Sequence, residues 1–461
     1  MNLSAYSDDH KYLFRLPRYA TNMIQKDKVA QLHIFRAIAA IGVVLTHAKF
    51  ILWSGGGAYI AKFPVHTWNP VEYPLFFLDL ISSLGEQRVY LFFILSGFFI
   101  KYSVRGSFSL PSYLCKRLMR IYPAFLAATL LAGIVLYVSV TYINPSIYTD
   151  SLREYNSRVV IGFQGLTLLS LLNTLSLSKV GEYFGLNAQY WSLKHEIVFY
   201  LLFPVYNLFT FRRQIGLLSV CLVLAVVSGN PIVFCQLFFL VGMLLYQGFE
   251  RGLRLPYSLP AWLYYTAFAG LYMGIYLLSK QNYTYLPSLL TVALAFLAME
   301  FLLTRTIRVP RAVTWFSKVS YSVYLNQMWV LLLYYAVLSR ISGELVFYSR
   351  WPYYTGAILA IIGSLPGYYF IEKPAMAYLE RISMSPWTMP RVITLASSNF
   401  QLLKLQLTMQ SPGSTYLGLA EVRKCDDYNM RTIFTETNQG QGRRRARKRG
   451  KRLGLSNKNG Q

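Results

Sequence analysis

The first long apolar segment of the chain, Leu32-His33-Ile34-Phe35-Arg36-Ala37-Ile38-Ala39-Ala40-Ile41-Gly42-Val43-Val44-Leu45-Thr46-His47, carries the ionisable side chains Arg36 near its start and His47 deeper in. A guanidinium offers fixed donors to a phosphate or a developing oxyanion, and an imidazole near neutrality is suited to take a proton from a hydroxyl. On a helix, a separation of eleven residues leaves the two about 20° apart around the axis and about 16 Å apart along it, on one face. The plainer alternative has Arg36 snorkelling to an interface and His47 bonding a backbone carbonyl. A second apolar run, opening Tyr190-Trp191-Ser192-Leu193-Lys194-His195-Glu196 and continuing to Tyr200, puts the Glu196 carboxylate at the start of a span. Glu196 could orient an imidazole, bind a hydroxyl substrate or pair with an Arg, while Lys194 and His195 point off its face. Arg117 and Arg120, three residues apart, share a helix face. They read as marking the cytoplasmic edge of a span, with a grip on a phosphorylated cytosolic donor as the alternative. In Leu91-Phe92-Phe93-Ile94-Leu95-Ser96-Gly97 the small pair reads best as a packing notch, since Ser96 has no base nearby in sequence to make it a nucleophile. Glu372 reads as a structural pairing partner. Cys115, Cys221, Cys235 and Cys425 form no CxxC pair and no metal-ligand spacing. They read as buried small apolar residues, and no metal is expected.

The elements that hold these groups follow from composition. Of 461 residues, 54% are hydrophobic and 14% charged, with 45 Lys and Arg against 19 Asp and Glu for a formal charge of +26. A soluble domain carries about a quarter charged residues, so one or two soluble units are excluded, and the apolar content excludes disorder of the whole. A mean hydropathy of +0.36 fits a polytopic membrane protein. A bilayer core takes roughly 20 apolar residues per helix. Runs of that kind occur near 32–53, 87–104, 120–143, 191–211, 213–228, 230–248, 260–279, 284–304, 314–338 and 353–372. The stretch 159–178, broken by Gly162, Gln164, Gly165 and Asn173, reads as interfacial or re-entrant. The expected fold is an all-α bundle of about ten transmembrane helices with both termini cytoplasmic. In that orientation, loops on the cytoplasmic side of residues 1–383 hold 20 Lys and Arg and the opposite loops nine. Residues 1–31 form a basic cytoplasmic arm with no cleavable leader, so the first helix is expected to stay as an anchor. Residues 32–382 are the membrane domain. Residues 383–461 are a basic tail expected to be disordered; its Arg443–Arg452 run has no interleaved aromatic to stack on bases, so no nucleic-acid partner is expected.

These segments, in this order, resemble the membrane acyltransferase-3 family, whose members O-acylate sugars and other hydroxyl compounds. Arg36 and His47 match the family's Arg and His separated by ten residues, and Phe92-Phe93-Ile94-Leu95-Ser96-Gly97-Phe98 resembles its FFxxSGF segment. Arg117 to Pro123 resembles its RxxR-x-x-P segment, and Trp191 to Tyr200 its WSLxxExxFY segment. Ser320-Tyr321-Ser322-Val323-Tyr324-Leu325 and Phe370-Ile371-Glu372-Lys373-Pro374 resemble its last two span signatures. Two departures stand out: His33-Ile34-Phe35 precede Arg36 where an Asp-Gly pair is commoner, and Asn326-Gln327 follow Leu325 where a His is often found. The second removes a polar contact near the site. The resemblance implies a cytosolic acyl-CoA donor, most often acetyl-CoA, and as acceptor a hydroxyl of a glycan, lipid-linked sugar, lipopolysaccharide or exopolysaccharide precursor. It implies an enzyme in contact with membrane lipid, in a bacterial inner membrane. His47 would be general base or transient acyl carrier, and Arg36 would bind donor phosphate or the oxyanion. Glu196 would orient His47 or the acceptor, and Arg117 with Arg120 would hold the CoA phosphates. Ser96, Trp191 and Tyr200 would make substrate or structural contacts. The rival readings are a transporter or flippase of a lipid-linked sugar, and a surface-polysaccharide polymerase or ligase using the long loop 144–190. Trp53, Tyr59, Trp68 and Tyr73 suit sugar stacking or an interfacial aromatic belt.

Overall fold

A segment crossing hydrocarbon must pair every backbone N–H and C=O internally, and a helix does so. The computed structural model of the chain describes residues 26–104, 108–149, 154–178, 183–253, 259–281, 283 and 285–383, and it contains helices and no strand among the described residues. Lys11, Arg15, Arg18, Cys425 and the basic run of the tail lie outside the described residues. In chain order, α1 (Lys26–Leu52) precedes two short helices, α2 (Gly56–Lys62) and α3 (Glu72–Ile81), then α4 (Gly85–Ser103) and α5 (Leu110–Val138). The long connection holds α6 (Ser146–Thr149), α7 (Glu154–Gln164) and α8 (Leu168–Leu175) before α9 (Tyr190–Leu208). There follow α10 (Phe211–Ser228), α11 (Pro231–Glu250), α12 (Ala261–Lys280), α13 (Tyr285–Thr304), α14 (Arg311–Ser342), α15 (Trp351–Gly367) and α16 (Lys373–Ser383).

A long helix occupies each of the ten expected segments, and among the described residues eight helical stretches are long and apolar enough to cross a membrane. The other two, α4 and α9, have 19 residues each but carry Glu86, Arg88 and Lys101, or Lys194 and Glu196. α7 and α8 meet at a bend of 107°, the geometry of a broken span or re-entrant loop that the interrupted stretch 159–178 suggested. The third span starts at Leu110 rather than near 120, so Arg117 and Arg120 stand inside α5 rather than at its edge. Its first turns are amphipathic, and a search for unbroken apolar runs passes over them.

Connections are written in local chemistry. Gly229, at φ 60°, ends α10 in the left-handed region. Asn230 Oδ1 then accepts the Ile232 N–H at 2.8 Å, and Pro231 opens α11 without a donor to lose. The bundle is apolar outside, with Val227 and Phe370 each 80% exposed, and polar at points inside, where Asp79 is fully buried. α4 packs along α11, and α14 along α1 and α15. The α4–α11 contact is backbone to backbone: a Cβ on Gly97 would lie 2.1 Å from the Phe239 carbonyl oxygen, and one on Gly242 2.0 Å from that of Ile94. The notch expected at Ser96-Gly97 is therefore a helix crossing.

α2 and α3 cap the end of the bundle where α1 stops. Arg350 donates from Nε to Asp79 Oδ2 at 2.6 Å and from a terminal nitrogen to Glu72, and its guanidinium lies 4.6 Å from the Tyr59 ring centroid. Tyr353 donates to the other Asp79 oxygen. Lys49 bonds the Asp79 carbonyl, Ser82 and Ser83, and Arg88 bonds the Gly42 and Ser82 carbonyls. Trp53, Tyr59 and Trp68 pack into one aromatic cluster with Phe76, and Trp53 and Tyr59 are buried, which leaves them no face for a sugar. Of the cysteines, Cys235 is buried as expected, Cys221 is half-buried, and Cys115 is exposed because it points outward from α5.

Candidate active site

Pro204 has no N–H, so the carbonyl four residues earlier, that of Tyr200, loses its helical partner. The Tyr113 hydroxyl donates to that carbonyl at 3.2 Å, tying α5 to α9 at this turn. One turn back on α9, Glu196 Oε1 accepts from the Tyr200 hydroxyl and, at 3.1 Å, from Ser96 Oγ on α4. Arg36 of α1 faces the same space, within electrostatic range of Glu196, Glu372 and Arg120. Glu372 stands in a π-helical turn, Tyr368–Glu372, that follows Pro366, and it accepts from Ser322 Oγ at 2.6 Å. Such single π turns frequently mark functional positions. Arg117 lies 5.4 Å from the ring centroids of both Tyr113 and Tyr200, and its Nε is buried without a hydrogen-bond partner. Together Arg36, Arg117, Arg120, Ser96, Glu196 and Tyr200 line one cavity, whose other walls include Phe92, Leu95, Phe99 and Ile100. Three guanidiniums beside an apolar wall suit a molecule with an anionic head and an apolar arm.

His47 opens onto a second cavity, with Thr46, Glu86, Tyr90, Gln189, Trp191 and Phe234. Its Nδ1 is buried with no hydrogen-bond partner, and so is Gln189 Oε1. The Gln327 side chain lies beside the His47 ring. The departure at Asn326-Gln327 thus supplies a polar neighbour to His47 rather than removing one. The two cavities are stacked along the helices. α4 lines the His47 cavity with residues 85–90 and the arginine cavity with residues 89–100, and α1 contributes residues 43–47 to the first and Arg36 to the second. From Glu86 to Ile100 this amounts to about 21 Å of helix. Val89 and Tyr324 line both cavities.

The residues singled out from sequence therefore divide. Arg36, Ser96, Arg117, Arg120, Glu196 and Tyr200 share one chamber, and His47 and Trp191 face the other. Glu196 is held by Ser96 and Tyr200, so the neighbour beside His47 is Gln327 in place of the carboxylate expected there. Gln189 and Glu86 carried no signal in the sequence, whereas Tyr324 sat inside a recognisable segment with no role attached. Among the described residues no group of three or more His, Cys, Asp or Glu side chains is arranged to hold a metal ion.

An acyltransferase domain family matches residues 29–371, from the first turns of α1 to the π turn beside Glu372. The chain belongs to the acyltransferase-3 family. The match takes in every residue that lines the two cavities. With its apolar helices, this family member is an integral membrane protein. Acyltransferase MdmB of Streptomyces mycarofaciens is 31% identical over 126 residues, which make up 27% of this chain and 29% of that protein. The matched stretch thus spans less than a third of that relative. No solved structure matches.

Proposed function

We propose that this membrane acyltransferase moves an acyl group, acetyl in the first instance, from acyl-CoA in the arginine cavity to a hydroxyl of a glycan, lipid-linked sugar or exopolysaccharide precursor at His47. The observation that carries the reading is the stacking of two chambers in one bundle, one ringed by Arg36, Arg117 and Arg120 and the other holding an imidazole with an unpartnered nitrogen. In this reading the guanidiniums bind the CoA phosphates, which a neutral pocket could not desolvate. The acceptor oxygen attacks the acyl carbon, the C–S bond breaks, and the CoA thiolate leaves and takes up a proton. The proton of the hydroxyl passes to the unpartnered nitrogen of His47, a general-base step for which imidazole basicity is suited. As a transient acyl carrier, His47 would instead accept the acyl group on that nitrogen and release it to the acceptor. Glu196, fixed by Ser96 and Tyr200, balances the cations of the donor chamber.

The chambers point to opposite ends of α4, and the bias of 20 Lys and Arg to nine supports a cytoplasmic donor chamber, cytoplasmic termini and a His47 chamber facing the far side. That arrangement suits a bacterial inner membrane, with CoA inside and the glycan outside. The stacked chambers also fit a carrier path, the rival reading. Release of CoA thiol coupled to labelling of the acceptor is foreign to a carrier.

The test is transfer of radiolabel from acetyl-CoA into the glycolipid fraction of source membranes by the full-length protein. His47→Ala is expected to abolish transfer, and Arg117→Ala with Arg120→Ala to raise the KM for acetyl-CoA at least about tenfold, the loss of charge-assisted phosphate contacts. Undiminished transfer by His47→Ala would overturn the reading, and substrate counterflow without CoA release would favour the carrier.

A further inference from the structure

Val89 of α4 and Tyr324 of α14 belong to both chambers, so they stand where the two meet. Val89 is buried, and as a β-branched residue in a helix it has one strongly preferred rotamer. Tyr324 is tethered: its hydroxyl donates to the Gln189 carbonyl and shares a 2.5 Å hydrogen bond with Ser192 Oγ. Ser192 lines the arginine chamber and Gln189 the His47 chamber, so the tether straddles the partition. Both partners stand at the start of α9, so swinging the ring aside breaks two hydrogen bonds and leaves the Tyr324 hydroxyl unpaired. The acyl carbon that travels from a thioester at the arginine end to His47 has to pass these side chains.

We propose that Val89 and Tyr324 form a neck that selects the acyl donor by girth, passing linear acyl groups and holding back those branched next to the carbonyl. The inference rests on the donor and acceptor chambers proposed above and names the class of donor they accept. A neck filters width and not length: a linear chain threads it one carbon at a time, whereas a branch presents two methyl groups at once. One methyl in an apolar constriction is worth about ten- to two-hundred-fold in relative rate, so Val89 sets a measurable ratio.

The experiment uses membranes containing the full-length protein, with a butanol-extracted glycolipid fraction of the source cells as acceptor. CoA thiol release dependent on that fraction is compared for butyryl-CoA and isobutyryl-CoA, which have the same number of carbons, with acetyl-CoA as reference. The wild type is expected to prefer butyryl over isobutyryl by at least about tenfold. Val89→Ala should raise the isobutyryl-to-butyryl ratio about tenfold, and Val89→Leu should lower it. Tyr324→Phe keeps the ring but loses the tether, and should also raise the ratio. A ratio within about twofold of wild type in both Val89 variants, with acetyl transfer retained, overturns the neck and leaves the two-chamber reading standing. Wild-type membranes that release no CoA from any donor overturn both. A variant that unfolds loses all donors together, which is why the ratio is read in both directions of size.

Discussion

Gly97→Ala puts one methyl where α4 and α11 touch. The added Cβ would sit 2.1 Å from the Phe239 carbonyl oxygen and 2.9 Å from its carbon, atoms of a helix backbone that cannot rotate away. Ordinary contact needs about 3.5 Å, so the helices must part by about 1 Å or more at this point. Gly242 on α11 meets the Ile94 carbonyl in the same way, so the strain cannot be relieved by sliding one helix along the other. Overpacking of this kind costs about 1–3 kcal/mol, and with backbone on both sides the upper end applies. In a domain of this size that is a fall in Tm of roughly 5 °C. Activity should fall further than stability, because Ser96 precedes Gly97 and its 3.1 Å bond to Glu196 moves with α4. Displacement by about 1 Å at a catalytic constellation costs on the order of a hundredfold. The assay is thermal unfolding in detergent together with acetyl transfer, alongside Gly216→Ala on α10, where a Cβ meets nothing within 4 Å. That control should be neutral or slightly stabilising, since Ala is about 1 kcal/mol better than Gly inside a helix. If Gly97→Ala instead matches Gly216→Ala in Tm and turnover, the close crossing is not a constraint on the site.

At the capped end, Arg350→Met leaves the fully buried Asp79 carboxylate without its guanidinium, which should cost about 3–5 kcal/mol in denaturant titrations in mixed micelles. Asp79→Asn combined with it should cost clearly less than the two single changes added, and strict additivity would argue against a coupled pair. Glu72, on α3, is held below its ordinary value of 4.5 chiefly by the hydrogen bond from Arg350. Its contribution to stability is therefore present above pH 4.5 and is lost as pH falls through the lower folded value. Glu72→Gln should flatten that part of a Tm-against-pH curve, and an unchanged acid limb would count against the ion pair.

The helices were legible because hydrocarbon leaves so few alternatives: runs of apolar residues punctuated by Ser228-Gly229-Asn230-Pro231 and similar breaks already mark where each helix stops. The candidate site was legible for a related reason, since an ionisable group inside an apolar run stands out by its cost. What misled were the amphipathic starts. α5 begins ten residues before the apolar run does, and its amphipathic first turns present Arg117 and Arg120 to the arginine cavity. The cations at the opposite end were visible only as exceptions to a charge bias. In the fold, Lys49, Arg88 and Arg350 make the bonds that fasten α3 down, and Arg350 also donates to the Tyr59 hydroxyl of α2.

The division of the site into two chambers follows from the same helical arithmetic that put Arg36 and His47 on one face. A separation of about 16 Å along one helix is too far for both to touch a single bond. Two groups at that spacing on one face must either do unrelated work or serve the two ends of a path. The structure brings Val89 and Tyr324 into the lining of both chambers, and the bonds that hold Tyr324 there join residues 132 and 135 apart in the chain. Pairings of that range are set by how α9 and α14 pack, so no local pattern around Tyr324 could announce them. In the proposed reaction the chemistry is therefore divided along the bundle, with the arginines as phosphate binders at one end and His47 as the base at the other. The side chains proposed to decide what passes between them, Val89 and Tyr324, come from positions with no charge at all.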